Sequence, residues 1–398
     1  MRHARSLRPY IAGLAALVVA AAIGQAVVVP AARAALDEPA RSACRNTASV
    51  PVRTAAVFND PVAGTPTAVV ERICALIKQT PAGASIEVAE FVVSGDAGAD
   101  YVSVLLDAYR RGVEVRVVID GWQVANPAAS TLVNTLGTNK SARSWVHVCS
   151  HLSPEGNTSS CQGTKGMHNK FSLFSSTGGR DHVVVQASNN ITDVNSTSYW
   201  NNLVVLPDNQ RLFAGYSRYF DDLAAEVQNP DYDTTVTGGM RDGRVTAQFY
   251  PVADRDPIAQ RLNRIGCRAD GRTRVEIGQS EWDATRLAIV AELAQLRAAG
   301  CQVRVVHGLA DPEVTEALDA AGVERRVLDG GTASGRIHSK YLVVTGPGAR
   351  GWVMTGSHNF NATSLRRNDE AMVELSHPEI VEAYAANFTR LWTVASTT

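Results

Sequence analysis

The chain of 398 residues repeats itself, and the repeat is clearest in two copies of a short H-x-K pattern. The first copy holds His168 and Lys170, and the second holds His338 and Lys340. In an extended strand, residues i and i+2 point to the same face, so each copy would present an imidazole beside an ammonium group. Two such half-sites brought together would direct two histidines and two lysines at one anion. This arrangement suits attack on a phosphate ester.

The sequence around the two copies repeats as well. Ser188 and Asn190 follow the first histidine, and Ser357 and Asn359 follow the second at nearly the same spacing. Residues 110–118 upstream of the first copy resemble residues 298–306 upstream of the second, but the first copy holds about 18 additional residues before its histidine. A repeat on this scale indicates a duplicated α/β lobe.

These residues resemble the phospholipase D superfamily, whose signature is H-x-K-x4-D followed by G-S-x-N, in two copies. The resemblance covers nearly the whole chain after its first 34 residues. It implies an α/β fold of two similar lobes from an internal duplication, each a mixed sheet flanked by helices, with one active site between them. The chain departs from the pattern at Ser175 and Thr345, where the family has Asp, and at Ala187, where it has Gly.

The chemistry of a phosphodiesterase can be assigned to these side chains. One imidazole attacks phosphorus to form a phosphohistidine, while the other protonates the departing alcohol and then activates water or a second alcohol. By the resemblance His168 is the nucleophile and His338 the acid, although the two roles stay exchangeable at this stage. No metal or other cofactor is expected, because the two lysines would neutralise the phosphate oxygens.

Further residues are expected to bind the phosphate or to support the histidines. Hydrogen bonds to the phosphate are expected from Ser188, Asn190, Ser357 and Asn359. The second copy also carries Glu370, which could stabilise a cationic imidazole and fix its tautomer, and the matching position in the first copy is taken to be Asn202.

The N-terminus predicts export. Residues 1–34 combine a basic start, a long apolar run and a small-residue cleavage site at Ala32–Ala34, which is typical of a secretory signal peptide. The alternative is an uncleaved membrane anchor, since the apolar run approaches the length that spans a bilayer. Cleavage would leave 34 basic and 39 acidic side chains, a formal charge of about −5 that does not suggest a nucleic-acid binder. We therefore expect a secreted, extracellular protein.

Six cysteines in an exported chain favour three disulfides. Proximity in the sequence favours Cys44 with Cys74, Cys149 with Cys161, and Cys267 with Cys301, although six cysteines allow fifteen pairings. The alternative for the middle pair is a zinc site that also uses His147 and His151.

The predicted organisation is a signal peptide at 1–34, a first lobe at 35–227, a linker at 228–243 and a second lobe at 244–398. Three functions remain open. The first is a secreted phospholipase D that hydrolyses, or transfers, the distal phosphodiester of glycerophospholipids and touches a membrane surface transiently. The second is an endonuclease of the same superfamily, and the third is a weakly active or non-catalytic phosphate-binding protein. A monomer is expected, since one chain supplies both half-sites.

Overall fold

A computed structural model describes residues 42–240, 243–267, 272–346 and 351–397. The signal peptide predicted for residues 1–34 lies outside the described residues. Among the helices of the described part, none is both long enough and apolar enough to cross a bilayer.

The strands and helices alternate along most of the chain. The strands are β1 (Ala55–Phe58), β2 (Ser85–Glu90), β3 (Glu114–Ile119), β4 (Trp145–Val148), β5 (His151–Leu152), β6 (Ser159–Ser160), β7 (Lys170–Thr177), β8 (Arg180–Ala187), β9 (Tyr199–Trp200), β10 (Asn202–Leu206), β11 (Thr234–Met240), β12 (Gly243–Tyr250), β13 (Arg274–Trp282), β14 (Gln302–Ala310), β15 (Glu324–Val327), β16 (Arg336–Ile337), β17 (Lys340–Thr345), β18 (Trp352–Gly356), β19 (Glu370–Leu375) and β20 (Ser396–Thr397). The α-helices span Ala68–Gln79, Gly95–Arg110, Pro127–Leu136, Asp193–Thr197, Gln210–Ala225, Pro257–Asn263, Leu287–Ala298, Pro312–Ala320, Ala362–Arg366 and Pro378–Val394.

Two mixed sheets carry the duplication. The first sheet has the order β1-β10-β8-β7-β2-β3-β4, and the second contains the same arrangement as β12-β19-β18-β17-β13-β14-β15, with β11 and β20 added at its ends. In both sheets the last three strands of that order are parallel and the others antiparallel. The predicted α/β fold of two duplicated lobes, each a mixed sheet flanked by helices, is confirmed.

The parallel strands form where the sequence is apolar on both faces. In β3 the residues Val115, Val117, Val118 and Ile119 are all buried. A strand covered by helices on both sides of the sheet needs such a run rather than a strict alternation of polar and apolar residues.

The two lobes share a continuous core. One cluster of buried side chains joins residues of the first sheet, such as Phe171, to residues of the second, such as Val373, through the helices Gln210–Ala225 and Pro378–Val394. Each sheet also has one further cluster of buried side chains, which lies on its outer face. The architecture is therefore layered, with two helices packed between the two sheets.

The predicted disulfides are all present, as Cys44–Cys74, Cys149–Cys161 and Cys267–Cys301. Because both sulfurs of the middle pair are bonded to each other, they are not available as thiolate ligands of zinc. The boundaries between the lobes stay a prediction. Within the stretch expected to be a linker, residues 234–240 form β11 and pair with β12.

Candidate active site

Each H-x-K histidine is held by the opposite lobe. The backbone N–H of His168 donates to the carbonyl of Asp369 at 3.0 Å, and that of His338 donates to the carbonyl of Trp200 at 2.9 Å. The segments before the two histidines run parallel to these partners, with β16 on β9 and Met167 beside Asp369. The two half-sites therefore meet through a reciprocal exchange between the lobes.

Two glycines make this exchange possible. A Cβ atom on Gly163 would lie 2.0 Å from the carbonyl oxygen of Arg367, and one on Gly335 would lie 2.2 Å from that of Ser198. Such contacts are far inside van der Waals distance, so a larger residue would push the crossing segments apart.

A buried carboxylate supports the first histidine. Both carboxylate oxygens of Glu370 lie 2.9 Å from Nδ1 of His168, and Oε1 also accepts a hydrogen bond from Asn368 at 3.0 Å. Burial raises the pKa of Glu370, but His168 and the nearby cations outweigh burial and lower it to about 2. Burial lowers the pKa of His168, and the Glu370 carboxylate opposes that shift. The imidazole therefore donates from Nδ1, which leaves the Nε2 lone pair free.

An amide supports the second histidine. Oδ1 of Asn201 lies 2.9 Å from Nδ1 of His338, in the position that Glu370 occupies at the other half-site. Burial lowers the pKa of His338 well below its usual value, and the ammonium groups of Lys340 and Lys170 lower it further. The ring is thus neutral until an anion binds beside the lysines.

The assignment of Asn202 as the counterpart of Glu370 is wrong by one residue. The side chain of Asn202 points to the other face of β10 and donates to Thr355 Oγ1 at 2.7 Å and to Tyr384 Oη at 2.6 Å. Adjacent strand residues face opposite ways, so a slip of one position moves a side chain from the site to the core. Equal spacing could have found Asn201, because it lies 13 residues after Ser188 just as Glu370 lies 13 after Ser357.

Each lysine lies beside the histidine of its own motif, but the two lysines have different neighbours in the sheets. Lys170 Nζ donates to the carbonyl of His168 at 2.8 Å, and Lys340 Nζ donates to that of His338. In the sheet Lys170 pairs with Glu90, whereas Lys340 pairs with Gln279. Burial lowers the pKa of Lys170 to about 8 although Glu90 opposes it, and burial lowers the pKa of Lys340 well below its usual value. A bound phosphate would favour the ammonium form of both lysines.

The predicted phosphate ligands separate into two groups. Asn190 and Asn359 line one cleft together with both histidines, and each has a buried Oδ1 without a hydrogen-bond partner among the described residues. Ser188 and Ser357 are fully buried instead. Their hydroxyls donate to Asn201 Oδ1 at 3.0 Å and to the carbonyl of Ala371 at 3.3 Å, so they brace the strands that carry Asn201 and Glu370.

The cleft has a volume of about 360 Å³, which lies within the range of small-ligand pockets. Its wall is formed by Phe91, Thr158, Lys165, Gly166, His168, Asn190, Glu281, His338, Asn359, Asn361, Thr363, Ser364 and Asn368. The space suits a phosphodiester and a small substituent rather than a whole lipid.

The additional segment of the first lobe forms one wall of this cleft. The carboxylate of Asp369 accepts hydrogen bonds from the backbone N–H groups of Cys161, Gln162 and Gly163, and Asp120 accepts from those of Ser159 and Met167. Together with the Cys149–Cys161 disulfide, these contacts fix the chain that leads into His168. We call residues 149–161 the stapled loop.

Comparison with known proteins identifies the family. The chain matches the family described as cardiolipin synthase, PLD-like domain, over residues 73–224 and 269–392, and each matched segment contains one H-x-K. The chain belongs to the phospholipase D superfamily. No curated protein matches the chain by sequence.

Solved structures support the same fold. Phosphatidylserine synthase from Haemophilus influenzae Rd KW20 superposes with a TM-score of 0.61 at 12% identity, covering 91% of this chain and 92% of that one. Polyphosphate kinase from Porphyromonas gingivalis gives a TM-score of 0.53 at 13% identity over 85% of this chain, which spans 50% of the length of that kinase. At this level of identity the likenesses show the phospholipase D fold.

The missing Asp of the superfamily pattern lies away from the cleft. Ser175 and Thr345 each come five residues after the motif lysine, which is about 17 Å along a strand. Ser175 Oγ accepts a hydrogen bond from the backbone N–H of Ser85 at 2.8 Å. The departure from the phospholipase D signature therefore changes no side chain in the cleft.

Sequence reasoning missed several residues of this candidate site. Besides Asn201, these are Phe91, whose ring lies 4.8 Å from that of His168, and Glu281 in the cleft wall. Both lie just after or near the end of a parallel strand, where α/β sheets carry their ligand sites, and that position was the available signal.

Proposed function

We propose that the protein is a secreted phospholipase D that cleaves the distal phosphodiester of glycerophospholipids through a phosphohistidine at His168. The observation that carries the proposal is the pairing of His168 with Glu370 and of His338 with Asn201 across the lobe interface. The three disulfides agree with an oxidising, extracellular location.

The unequal partners divide the chemistry. When Nε2 of His168 attacks phosphorus, a P–N bond forms, the P–O bond to the alcohol breaks, and the ring becomes cationic. The carboxylate of Glu370 at Nδ1 stabilises that cation, which an amide does far less well. His168 is therefore the nucleophile.

His338 then serves as the acid and base. The substrate phosphate offsets the repulsion from Lys170 and Lys340, so His338 can carry a proton at Nε2 and give it to the departing alkoxide. The neutral ring next takes a proton from water, whose oxygen attacks phosphorus and releases His168. Phosphatidic acid and free alcohol are the products.

A lipid fits the surroundings of the cleft better than a nucleic acid does. Several large apolar side chains are exposed next to cleft residues in sequence or in strand pairing. Leu152, 67% exposed, pairs with Ser159 beside the cleft residue Thr158, and Leu309 pairs with Glu281. Trp122, 52% exposed, lies two residues after Asp120, whose carboxylate accepts from Met167 next to His168. Trp and aliphatic side chains in such a position suit transient contact with a bilayer. Among the described residues of the cleft wall, one lysine, Lys165, is balanced by one carboxylate, Glu281. Proteins that bind single-stranded nucleic acid have a positively charged groove along the backbone instead.

The test uses two esters that differ in leaving group. Choline needs a proton from the enzyme, whereas p-nitrophenol leaves without one. On phosphatidylcholine, both H168A and H338A should lose at least 10³-fold in rate. On phosphatidyl-p-nitrophenol, H338A should release one equivalent of p-nitrophenol in a burst and retain the phosphatidyl group on the peptide with His168, and H168A should show neither.

A burst in H168A instead of H338A would reverse the two roles. In a parallel experiment the protein is incubated with plasmid DNA in EDTA, and DNA cleavage is measured. Cleavage of DNA without cleavage of lipid would contradict a phospholipase, and activity on neither would favour a phosphate-binding protein.

A further inference from the structure

The second lobe places a carboxylate in the cleft wall where the first lobe has an apolar residue. Gln279 pairs with Lys340 as Glu90 pairs with Lys170, so Glu281 and Val92 occupy equivalent positions two residues later. Their backbone contacts agree, since the carbonyls of Glu281 and Val92 accept from Phe360 and Ile191, each at 2.9 Å. The duplication therefore offers Val92 as an internal reference for Glu281.

The carboxylate of Glu281 faces the cleft. One oxygen accepts from Arg336 Nη2 at 2.9 Å and the other accepts from Asn359 Nδ2 at 3.3 Å. The side chain of Glu281 is 40% exposed, whereas that of Arg336 is only 16% exposed. Glu281, unlike Arg336, belongs to the cleft wall. A ligand therefore meets the acidic member of this pair, whose oxygens each retain a further lone pair.

The position of Glu281 assigns it to one end of the substrate. In an in-line displacement the leaving oxygen lies opposite the attacking atom, and the group that protonates it lies on that same side. With His168 as nucleophile, the leaving alcohol lies toward His338. Arg336, the ion-pair partner of Glu281, stands two residues before His338, and Asn359 belongs to the same lobe.

We infer that Glu281 is a specificity-determining residue that selects phosphodiesters whose leaving alcohol carries a positive charge, as an amino-alcohol head group does. The inference rests on the proposed function, because it needs the leaving group on the His338 side. The charge pattern of the cleft agrees with it, since Lys165 lies on the wall contributed by the first lobe and Glu281 on the wall contributed by the second. A cationic head group is attracted at one end only.

The experiment compares two short-chain lipids that differ in one charge. The first is dihexanoylphosphatidylcholine, and the second carries 3,3-dimethylbutanol, in which a carbon replaces the choline nitrogen. Both are used as monomers, so that surface charge plays no part. The unaltered protein should prefer the choline ester by about fivefold in kcat/KM, the scale of a partly exposed charge contact. In E281Q the preference should fall to about twofold or less, because the choline ester loses more rate than the neutral ester does.

Three controls keep the result interpretable. E281D retains the charge and should keep most of the preference. E155Q removes another carboxylate near the cleft, one that pairs with Arg367 and Lys165, and should leave the preference intact. Thermal melting of each variant verifies folding.

Each result either supports or overturns the inference. A purely structural role for Glu281 would lower both rates equally in E281Q and leave their ratio unchanged, which overturns the inference while lipid cleavage still stands. Cleavage of neither lipid by the unaltered protein overturns the proposed function and the inference with it.

Discussion

The two half-sites share a backbone and differ in a few side chains. Both histidines are held by a carbonyl of the opposite lobe, and both lysines donate to the carbonyl of their own histidine. Yet His168 contacts a carboxylate and His338 an amide. The duplication thus supplies the backbone geometry twice, and the side-chain differences between the copies give the two imidazoles unlike partners.

The same comparison extends along the strands that carry the site. Lys170 pairs with Glu90 and Lys340 with Gln279, while Glu281 in the second lobe replaces Val92 of the first. Among the described residues, the stapled loop belongs to the first lobe alone. Backbone N–H groups of Cys161 at its end and of Gly163 just after it donate to Asp369 of the second lobe. Asymmetry in this molecule therefore comes from buried polar partners rather than from a different fold.

Among the residues that support the two histidines, the largest effect is expected from removing the charge of Glu370. E370Q keeps a hydrogen-bond acceptor for His168 but leaves the phosphohistidine cation without its counter-charge. We expect kcat to fall by about 10²-fold or more on both the choline ester and the p-nitrophenyl ester. Initial rates and the size of the p-nitrophenol burst measure the effect.

The matched change on the other histidine sharpens the comparison. N201A removes the partner of His338 and should cost about tenfold on the choline ester. The rate of the p-nitrophenol burst should change much less, because p-nitrophenol leaves without an acid. If both variants showed the same pattern on the two esters, the two histidines would not have separate roles.

Much of this arrangement was predictable from the sequence, because periodic patterns report strand faces and repeats report topology. The two H-x-K pairs and the duplicated α/β lobes follow from such patterns. The hydrogen bonding of each histidine segment to the opposite lobe could not be predicted in this way. The pairing of Met167 with Asp369 joins positions about 200 residues apart, and no local pattern relates them. Asn201 was missed for a different reason: adjacent strand residues face opposite ways, so an alignment of the two copies that is wrong by one residue selects the core-facing Asn202. The spacing of 13 residues from the serine keeps the register.

A second difference between the lobes concerns stability rather than catalysis. His358 and Asn189 occupy equivalent places between the Ser and Asn of each copy, and His358 is fully buried with neither ring nitrogen hydrogen-bonded among the described residues. Burial lowers the pKa of His358 to about 3. In the unfolded chain the His358 imidazole therefore takes up a proton near pH 6.5, whereas in the folded protein it stays neutral down to about pH 3. The stability that this group contributes above pH 6.5 is therefore lost as the pH falls toward 3.

Replacing His358 by the residue of the first lobe should remove this loss. Between pH 7 and pH 4 the free energy of unfolding of H358N should fall by about 3 kcal/mol less than that of the unaltered protein. Urea denaturation at the two pH values measures the difference. H182N is the control, because Asn tolerates the positive φ of 49° at that position. An equal acid sensitivity in H358N and the unaltered protein would show that other groups govern it.

The smallest effect is expected where the chain departs most visibly from the superfamily signature. Ser175 and Thr345 stand in place of the signature Asp, and each lies five residues along its strand from the motif lysine that begins it. S175D and T345D, singly and together, should change kcat/KM for choline release by less than twofold. The reason is distance: at about 17 Å along the strand a partly exposed charge is screened by solvent and salt. A tenfold rise in either variant would instead mean that this residue acts on the histidines through the strand. An unchanged rate would place the difference between the half-sites at Glu370 and Asn201, where the imidazoles have their hydrogen-bond partners.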